Sequence, residues 1–561
     1  MYESFFMRME QSLSLTTQES NNVSKHYRWG LGEITYLIGA AALFTFWINS
    51  PYWLRVARLI PLQHGKDVLF LLSQMLLVWG VTTSILMLLC WSRLLKPMLA
   101  LLFIISAACA YFSYVYQVYV DRHMLTNVVR TDVSEAKDLL SIKFVTWMLV
   151  YLLPVFVFLK WVHIQPLGHW KSKLMWRLGG IVLGVVFGLV VGMPMYKNYA
   201  SFYRNNKQVI KMLTPYNFIN ASVSYAQHKL KDGNRVFEHV GLDAKQVKPA
   251  AVNKPTVFVL VIGETARADR FSLNGYARPT NPLLSKQEGI ISFQKAASCG
   301  TATAISVPCL LSSSARKEYN PDTAAYRDNL LDVVQRAGIS VQWFDNNSGC
   351  QQSCERVPHQ QLKQDCPEEL CFDEQLVAAL NKQLLSPSTR DQFIVLHMNG
   401  SHGPAYFQRY PKHNEAFKPA CNTKDISSCD QTLLNNVYDN TIVNTDEVLN
   451  GIVEVLKAQK NTNTVMVYAS DHGESLGENG LYLHATPYSI APKEQTHIPM
   501  IFWANGSFYQ QHKVSSLCLQ QAAKNAEVSH DNLFHTVMGG LFVNSQVYDG
   551  KLDLMKQCGE V

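Results

Sequence analysis

The sequence predicts two kinds of structure in one chain: a five-helix transmembrane domain, then a doubly wound, mainly parallel α/β sheet. Five long apolar stretches fall in the first third of the 561 residues, and none follows them. From Lys254 onward, short apolar runs rich in β-branched residues alternate with longer helical stretches. A chain of this length is expected to hold more than one domain.

The five apolar stretches are each about long enough to cross a membrane, because a spanning helix needs about 20 mostly apolar residues. The first is the shortest and ends beside Asn49. Buried helices of a large soluble protein are the alternative, but five such runs in succession are rarely core helices. The predicted spans are residues 34–48, 68–91, 97–116, 144–162 and 178–195.

The cysteines indicate on which side of the membrane the second domain lies. Ten of the twelve follow residue 298, and most stand in close pairs. An even number at short spacing favours disulfides in an oxidising compartment, whereas a zinc ribbon would need C-x-x-C pairs, which the sequence lacks. With five spans, the second domain is then extracytoplasmic and the N-terminus cytoplasmic. Three basic residues in the loop 163–177 agree with the positive-inside rule, although the first outer loop also carries three.

Two polar segments join these parts, and they define the predicted domains. The outer-face loop 117–141 carries Asn127, Thr131 and Glu135 at i, i+4, i+8 spacing, which places them on one helical face. A solvated amphipathic helix explains that pattern equally well. We predict a transmembrane domain over 1–195, an interfacial helical connector over 196–250 and an α/β domain over 251–561.

Continuous apolar strands separated by helices indicate a parallel sheet covered on both faces. The predicted strands are 256–262, 340–344, 393–396 and 464–469, with helices such as 328–337 and 442–460 between them. Ligands of such sheets bind beyond the carboxyl ends of the strands. Here those ends carry GET, DNNSG, HMNGSHG and SDHGES.

Glu264, Asp471 and His472 follow two of these strands and are the candidate metal ligands. Carboxylate oxygen with imidazole nitrogen suits zinc and leaves manganese possible. A strand-end glutamate or a DH dipeptide alone is usually structural. Together, at one edge of one predicted sheet, they favour a metal-dependent hydrolase or transferase.

A nucleophile is expected in or just after the segment 298–304 (SCGTATA), which precedes a predicted helix. A hydroxyl there has backbone N–H groups nearby to hold a phosphate, and a neighbouring metal lets it lose its proton and attack phosphorus. An ordinary N-cap threonine is the alternative. The residues alone do not rank Thr301, Thr303 and Ser306.

His402 in GSHGP and His484 in LYLHATP are the remaining candidates. A lone histidine is more often structural. Near the metal ligands they would bind a second metal, contact a substrate phosphate or protonate a leaving oxygen.

Six motifs together resemble the phosphoethanolamine transferases that modify lipid A, a family that includes the mobile colistin-resistance enzymes. They are VIGETARADR, NGYARPTNP, SCGTATAISVPC, NNSG, GSHGPAYFQRY and SDHGESLGENGLYLH. The resemblance covers essentially the whole chain. It implies the fold of alkaline phosphatases and sulfatases, in a multi-pass protein of the bacterial inner membrane whose catalytic domain is periplasmic.

The resemblance also implies roles for individual residues. Glu264, Thr303, Asp471 and His472 match a zinc site with Thr303 as the nucleophile, holding one Zn²⁺ with a second possible. His402 and His484 match histidines that serve the substrate phosphate or an additional zinc. Asn127, Thr131 and Glu135 match an outer-loop set for the ethanolamine lipid, and Ser348 matches another substrate contact. Gln351 stands where some members carry lysine.

The family further implies five disulfides, a donor and an acceptor. The disulfides are Cys299–Cys309, Cys350–Cys354, Cys366–Cys371, Cys421–Cys429 and Cys518–Cys558. The expected reaction passes phosphoethanolamine from phosphatidylethanolamine to Thr303 and then to a lipid A phosphate of lipopolysaccharide. The lowered surface charge would confer polymyxin and colistin resistance. We expect a monomer in contact with membrane lipids. The net charge of +7 suits anionic headgroups, and no basic run with interleaved aromatic residues indicates nucleic acid.

Three other functions compete with this one. A glycerol-phosphate polymerase of the lipoteichoic acid type would share the spans, sheet and threonine but use manganese, and the dense cysteine pairs and SDHGESLGENGLYLH argue against it. A sulfatase would need a C/S-x-P-x-R context, which is absent around Thr303. A zinc-dependent membrane sensor would not need the Thr303 hydroxyl.

Overall fold

The structure, a computed structural model, describes residues 30–60, 62–91, 94–130, 133–165, 169–206, 208–232, 235–362, 371–385 and 388–559. These residues divide into two structural units. The membrane unit comprises residues 30–114 and 145–218, and the soluble unit comprises 115–144 and 219–559. Residues 117–141, predicted as an outer loop of the membrane domain, therefore group with the soluble unit. The predicted boundaries at 195 and 250 stay predictions.

The helices of the first 232 residues carry the apolar stretches. They are α1 Glu33–Ala42, which continues as a π-helix over Leu43–Ile48, α2 Ser50–Leu59, α3 Gly65–Leu89, α4 Leu95–Val115, α5 Arg122–Arg130, α6 Val133–Asp138, α7 Ile142–Trp161, α8 Trp170–Gly192, α9 Tyr196–Asn205 and α10 Tyr216–Asp232.

Four described helices are long and apolar enough to cross a membrane: α3, α4, α7 and the helix formed by α8 and α9. A fifth span results if Glu33–Ile48 and Ser50–Leu59 count together, since they meet at a bend of 54°. Pro51 cannot donate a backbone hydrogen bond and stands at this bend. The Asn49 side chain donates to the carbonyls of Phe44 and Thr214, at 2.9 and 2.7 Å. Each predicted span overlaps one of these helices.

The soluble unit is built on an eight-stranded sheet. Its strands are β1 Thr256–Gly263, β2 Ile291–Ala297, β3 Ser340–Asp345, β4 His359–Gln361, β5 Gln392–His397, β6 Asn463–Ser470, β7 His497–Ala504 and β8 Glu527–Ser529. They lie in the order β8–β2–β7–β6–β1–β5–β3–β4. All pair in parallel except β7, which is antiparallel to both neighbours. The predicted doubly wound, mainly parallel sheet is thus confirmed.

Helices connect the strands, as the alternating pattern predicted. They are α11 Thr303–Leu310, α12 Leu330–Arg336, α13 Glu374–Leu384, α14 Gln431–Lys457, α15 Lys493–Thr496, α16 Gly506–His512, α17 Ser516–Asn525 and α18 Asp531–Gly540. Every residue of β1 and β6 is buried, as strands covered on both faces must be.

The register of the central strands positions the site. Gly263 at the end of β1 pairs with Ser470 at the end of β6, and Ile262 pairs with His397 at the end of β5. The residues that follow these strands therefore emerge at one edge of the sheet, where ligands of α/β sheets bind.

Four of the five expected disulfides are present. They are Cys299–Cys309, Cys350–Cys354, Cys421–Cys429 and Cys518–Cys558. Cys366 of the fifth pair lies outside the described residues. Cys90, directly after α3, and Cys109, within α4, are free thiols.

Candidate active site

Three acidic and imidazole side chains meet where β1 and β6 end, and we call them the strand-end cluster: Glu264, Asp471 and His472. One ligand atom from each lies within 4.8 Å of the other two. His472 Nε2 is 3.5 Å from Glu264 Oε1 and 3.3 Å from Asp471 Oδ2. Glu264 is 1% exposed, and the other two are fully buried.

The orientation of His472 is set by the backbone. Its Nδ1 lies 2.9 Å from the carbonyl oxygen of Gly473, so the Nδ1 proton is donated there and the Nε2 lone pair faces the carboxylates. Burial lowers the pKa of His472 well below its usual value, which keeps the imidazole neutral. A neutral imidazole held through its other nitrogen is the form that binds metals.

Asp471 completes an arrangement that suits a cation. Its Oδ1 accepts the N–H groups of Thr265 and His472, at 3.1 and 2.7 Å. Within the described part of the chain, Oδ2 accepts no hydrogen bond although it is buried. Burial raises the pKa of Asp471 to about 6. A buried carboxylate oxygen facing an imidazole lone pair is unfavourable without a cation between them, so these residues fit a bound zinc ion.

Thr303, the first residue of α11, lies against this cluster. Its Oγ1 is 3.0 and 3.3 Å from the two carboxylate oxygens of Glu264, and 3.4 Å from His472 Nε2. The other two hydroxyl candidates are placed differently. Thr301 Oγ1 donates to the carbonyl of Thr486 at 2.6 Å, and Ser306 Oγ is buried without a hydrogen-bond partner among the described residues. The structure thus brings one of three candidate nucleophiles to the cluster.

A second layer of side chains, not predicted from the sequence, holds Glu264. Asn347 Nδ2 donates to Glu264 Oε2 at 2.8 Å and to the carbonyl of Met398 at 2.9 Å. The same amide lies 3.2 Å from His397 Nε2, and His397 Nδ1 lies 2.9 Å from Asp345 Oδ2. The sequence feature that could have indicated this layer is the glycine-containing motif DNNSG at the end of a predicted strand.

Ser348, the predicted substrate contact in that motif, follows this layer. Its backbone N–H donates to Asn347 Oδ1 at 2.7 Å, and the residue is partly buried. Its neighbour Asn347, rather than Ser348, hydrogen-bonds to the strand-end cluster.

His402 and His484 lie beside the cluster. The ring centroids of His472 and His484 are 4.5 Å apart, and those of His402 and His484 are 5.6 Å apart. His484 Nδ1 is 3.4 Å from the fully buried carboxylate of Glu474. Two imidazoles beside the strand-end cluster and the Thr303 hydroxyl can contact a phosphoryl group and transfer a proton.

The outer-loop residues are described only in part. Asn127 is partly buried on α5, and Glu135 lies on α6, where its side chain is not described. Thr131 lies outside the described residues. The structure therefore places Asn127 and Glu135 on helices, and the predicted common face stays a prediction.

Comparison with known proteins agrees with this chemistry. Residues 78–230 match the family described as phosphoethanolamine transferase EptA/EptB, and residues 256–541 match the sulfatase family. Phosphoethanolamine transferase EptA of Salmonella typhimurium is 38% identical over 94% of this chain and 97% of its own length. Phosphatidylethanolamine transferase Mcr-1 of Escherichia coli is 34% identical over 86% of this chain and 92% of its own.

A solved structure extends the similarity to the whole architecture. The integral membrane lipooligosaccharide phosphoethanolamine transferase A of Neisseria meningitidis superposes with a TM-score of 0.89 and 33% identity. The match covers 95% of this chain and 100% of that one.

Proposed function

The chain belongs to the lipid A phosphoethanolamine transferase family, and we propose that it transfers the group from phosphatidylethanolamine to a lipid A phosphate through Thr303. The observation that carries this proposal is the position of Thr303 Oγ1, 3.0 Å from Glu264 Oε2 and 3.4 Å from His472 Nε2. A hydroxyl in such surroundings is a nucleophile rather than an N-cap.

Glu264, Asp471, His472 and Thr303 would hold zinc, since their donor set and burial suit it. Zinc would lower the pKa of the Thr303 hydroxyl and offset charge on the phosphoryl oxygens. Glu264 Oε2 accepts the hydroxyl hydrogen of Thr303, which leaves an oxygen lone pair free for phosphorus. The fixed Nδ1–H bond of His472 keeps its Nε2 turned to the same point.

The transfer proceeds in two steps, first to Thr303 and then to the acceptor. Thr303 Oγ1 bonds to the phosphorus of phosphatidylethanolamine, the phosphorus–glycerol oxygen bond breaks, and diacylglycerol leaves after receiving a proton. A lipid A phosphate oxygen then bonds to phosphorus, the bond between phosphorus and Thr303 Oγ1 breaks, and Thr303 Oγ1 takes up a proton to become a hydroxyl again. We expect His402 and His484, whose rings form a row with that of His472, to contact the phosphoryl group and to supply the proton.

The lipid substrates fit the two units of the chain. The membrane helices would hold the acyl chains in the inner membrane, with the N-terminus cytoplasmic and the soluble unit periplasmic. Glu135, with Asn127 and Thr131, would bind the ethanolamine headgroup, its carboxylate pairing with the ammonium. Adding that ammonium to lipid A lowers the negative surface charge, so polymyxins and colistin would bind less well.

Rapid-quench mass spectrometry tests the covalent step. Full-length protein in detergent is mixed with phosphatidylethanolamine alone, quenched and digested. We expect the peptide that contains Thr303 to gain the mass of one phosphoethanolamine, and the Thr303→Ala peptide to gain nothing. If modified lipid A forms but the mass increase is never seen, direct transfer between lipids replaces the two-step mechanism.

A further inference from the structure

An ion pair joins the outer segment, residues 115–144, to the loop that carries His402. Arg409 Nη2 donates to Asp138 Oδ2 at 2.7 Å, and both side chains are only 9% exposed. Asp138 is the last residue of α6, the helix that also carries Glu135. Glu135 and Asp138 are three positions apart, which is less than one helical turn.

The Arg409 guanidinium also contacts the loop that carries His402. Arg409 Nε donates to the backbone carbonyl of His402 at 2.8 Å. The His402 ring in turn lies 5.6 Å from that of His484, which lies beside His472. A guanidinium is planar and presents its donors at fixed angles, so its two contacts hold their separation.

The charge of the buried Asp138 carboxylate is offset by two cations, since Lys424 pairs with it as well as Arg409. Lys424 Nζ lies 2.9 Å from Asp138 Oδ1 and 3.2 Å from the carbonyl of Lys137. The outer segment has another ion pair, Lys143 with Asp425 at 3.3 Å, but Lys143 is 41% exposed. Buried pairs with several hydrogen bonds fix geometry, whereas exposed pairs contribute little.

We propose that Arg409 is a positioning residue that couples the outer segment to the catalytic edge through Asp138 and the His402 carbonyl. This rests on the proposed function, in which the outer segment binds the ethanolamine headgroup. The coupling keeps the distance between the headgroup site and the His402 imidazole constant, so that the donor phosphorus reaches Thr303. We expect substitutions of Asp138 and of Arg409 to have different effects on catalysis. Asp138 takes part only in the ion pair, whereas Arg409 makes both the ion pair and the hydrogen bond to the His402 carbonyl.

The test compares a lipid donor with a small one. Full-length protein in detergent is assayed with dioleoyl phosphatidylethanolamine and with 4-nitrophenyl phosphoethanolamine, a soluble ester that lacks acyl chains. We expect Asp138→Asn to raise KM for the lipid about tenfold while kcat/KM for the ester stays within about twofold. Arg409→Gln should raise the lipid KM equally and also lower kcat for the ester about fivefold, because His402 is released.

A matched control and a double variant make the assignment specific. Lys143→Gln removes the exposed ion pair of the same segment and should change neither substrate by more than about twofold. The double variant Asp138→Asn/Arg409→Gln should have the lipid KM of Arg409→Gln alone, since both changes break one interaction. Arg409→Lys keeps the charge opposite Asp138 but cannot make both contacts, so KM for the lipid should stay near the wild-type value while kcat falls with both substrates.

Two results would overturn the coupling. One is an Asp138→Asn enzyme that behaves like Lys143→Gln. The other is an Asp138→Asn enzyme that loses lipid and ester activity in equal proportion, which indicates a general packing role. A wild-type protein that cleaves the ester but never transfers from the lipid would instead contradict the proposed function.

Discussion

Among its described residues, the soluble unit contains two groups of acidic and histidine side chains whose ligand atoms lie within 4.8 Å of one another, and the two groups differ in exposure and in the partner of the imidazole. The second, which we call the helix cluster, consists of Glu374 on α13, His413, and Glu447 on α14. His413 Nε2 lies 3.0 Å from Glu447 Oε2, and these side chains are 63% and 37% exposed. The strand-end cluster is wholly buried.

From this difference we predict that proximity alone does not make a metal site. In the helix cluster, His413 Nε2 is hydrogen-bonded to the Glu447 carboxylate, and both side chains are accessible to water. In the strand-end cluster the backbone of Gly473 fixes the tautomer of His472, leaving Nε2 and a carboxylate oxygen without a proton between them. We therefore expect zinc at the strand ends, where Thr303 also lies, and no catalytic role for the helix cluster.

The largest effect should follow from removing the hydroxyl that the strand-end cluster holds. We expect Thr303→Ala to lower phosphoethanolamine transfer by about 10³-fold or more, because neither Thr301 Oγ1 nor Ser306 Oγ hydrogen-bonds to the described residues of the cluster. Ser306→Ala is the matched control on the same helix. The Ser306 hydroxyl is buried and has no hydrogen-bond partner in the part of the chain that the structure describes, so its removal should leave transfer intact. The measurement is phosphoethanolamine on lipid A by mass spectrometry. Normal modification by Thr303→Ala would show that the nucleophile lies elsewhere.

Metal content separates the two clusters directly. We expect Glu264→Gln to lower the zinc retained by the purified full-length protein by about tenfold or more, since even loss of groups that only support a ligand costs about 10- to 100-fold in affinity. Glu374→Gln changes the same residue type in the helix cluster and should leave the zinc content as in wild type. The measurement is elemental mass spectrometry after dialysis against buffered zinc. Equal losses in both variants would contradict the distinction between the clusters.

The strands could be predicted where burial is continuous. The sequence predicts 256–262 and 464–469, and the structure extends these strands to Thr256–Gly263 and Asn463–Ser470. β7 was not predicted, because Pro499 interrupts its apolar run. Proline has no N–H to give to the ladder, and the register of β7 against β2 shifts between Ile498 and Met500.

Other features depend on contacts that a sequence does not display. Helix α14 was predicted over 442–460 but begins at Gln431, since its first half buries polar side chains. Asp439, for example, is fully buried and pairs with Arg278 at 2.5 Å. For the same reason the support of Glu264 by Asn347 was not predicted, and only the family resemblance ranked Thr303 above Thr301 and Ser306 before the structure. The meeting of Glu264, Asp471 and His472 at one place was predictable, because parallel strands end at one edge of the sheet.

The smallest effect concerns the helix cluster, and it appears in stability rather than catalysis. Burial raises the pKa of Glu374 from 4.5 to about 7. Between these values the folded protein binds a proton that the unfolded chain has released, so stability is highest below about pH 4.5. It decreases as the pH rises towards 7. Ionising this partly solvated carboxyl should cost about 1–2 kcal/mol.

Glu374→Gln removes that titration. We expect the variant to be more stable than wild type at pH 8, and its advantage to shrink by about 1–2 kcal/mol at pH 4.5. Chemical denaturation of full-length protein in detergent at both pH values measures this, with the exposed Glu318→Gln as the control. An unchanged difference between the pH values would mean that Glu374 is ionised in the fold. A cation at the helix cluster would then be the better explanation, and the contrast between the two clusters would narrow.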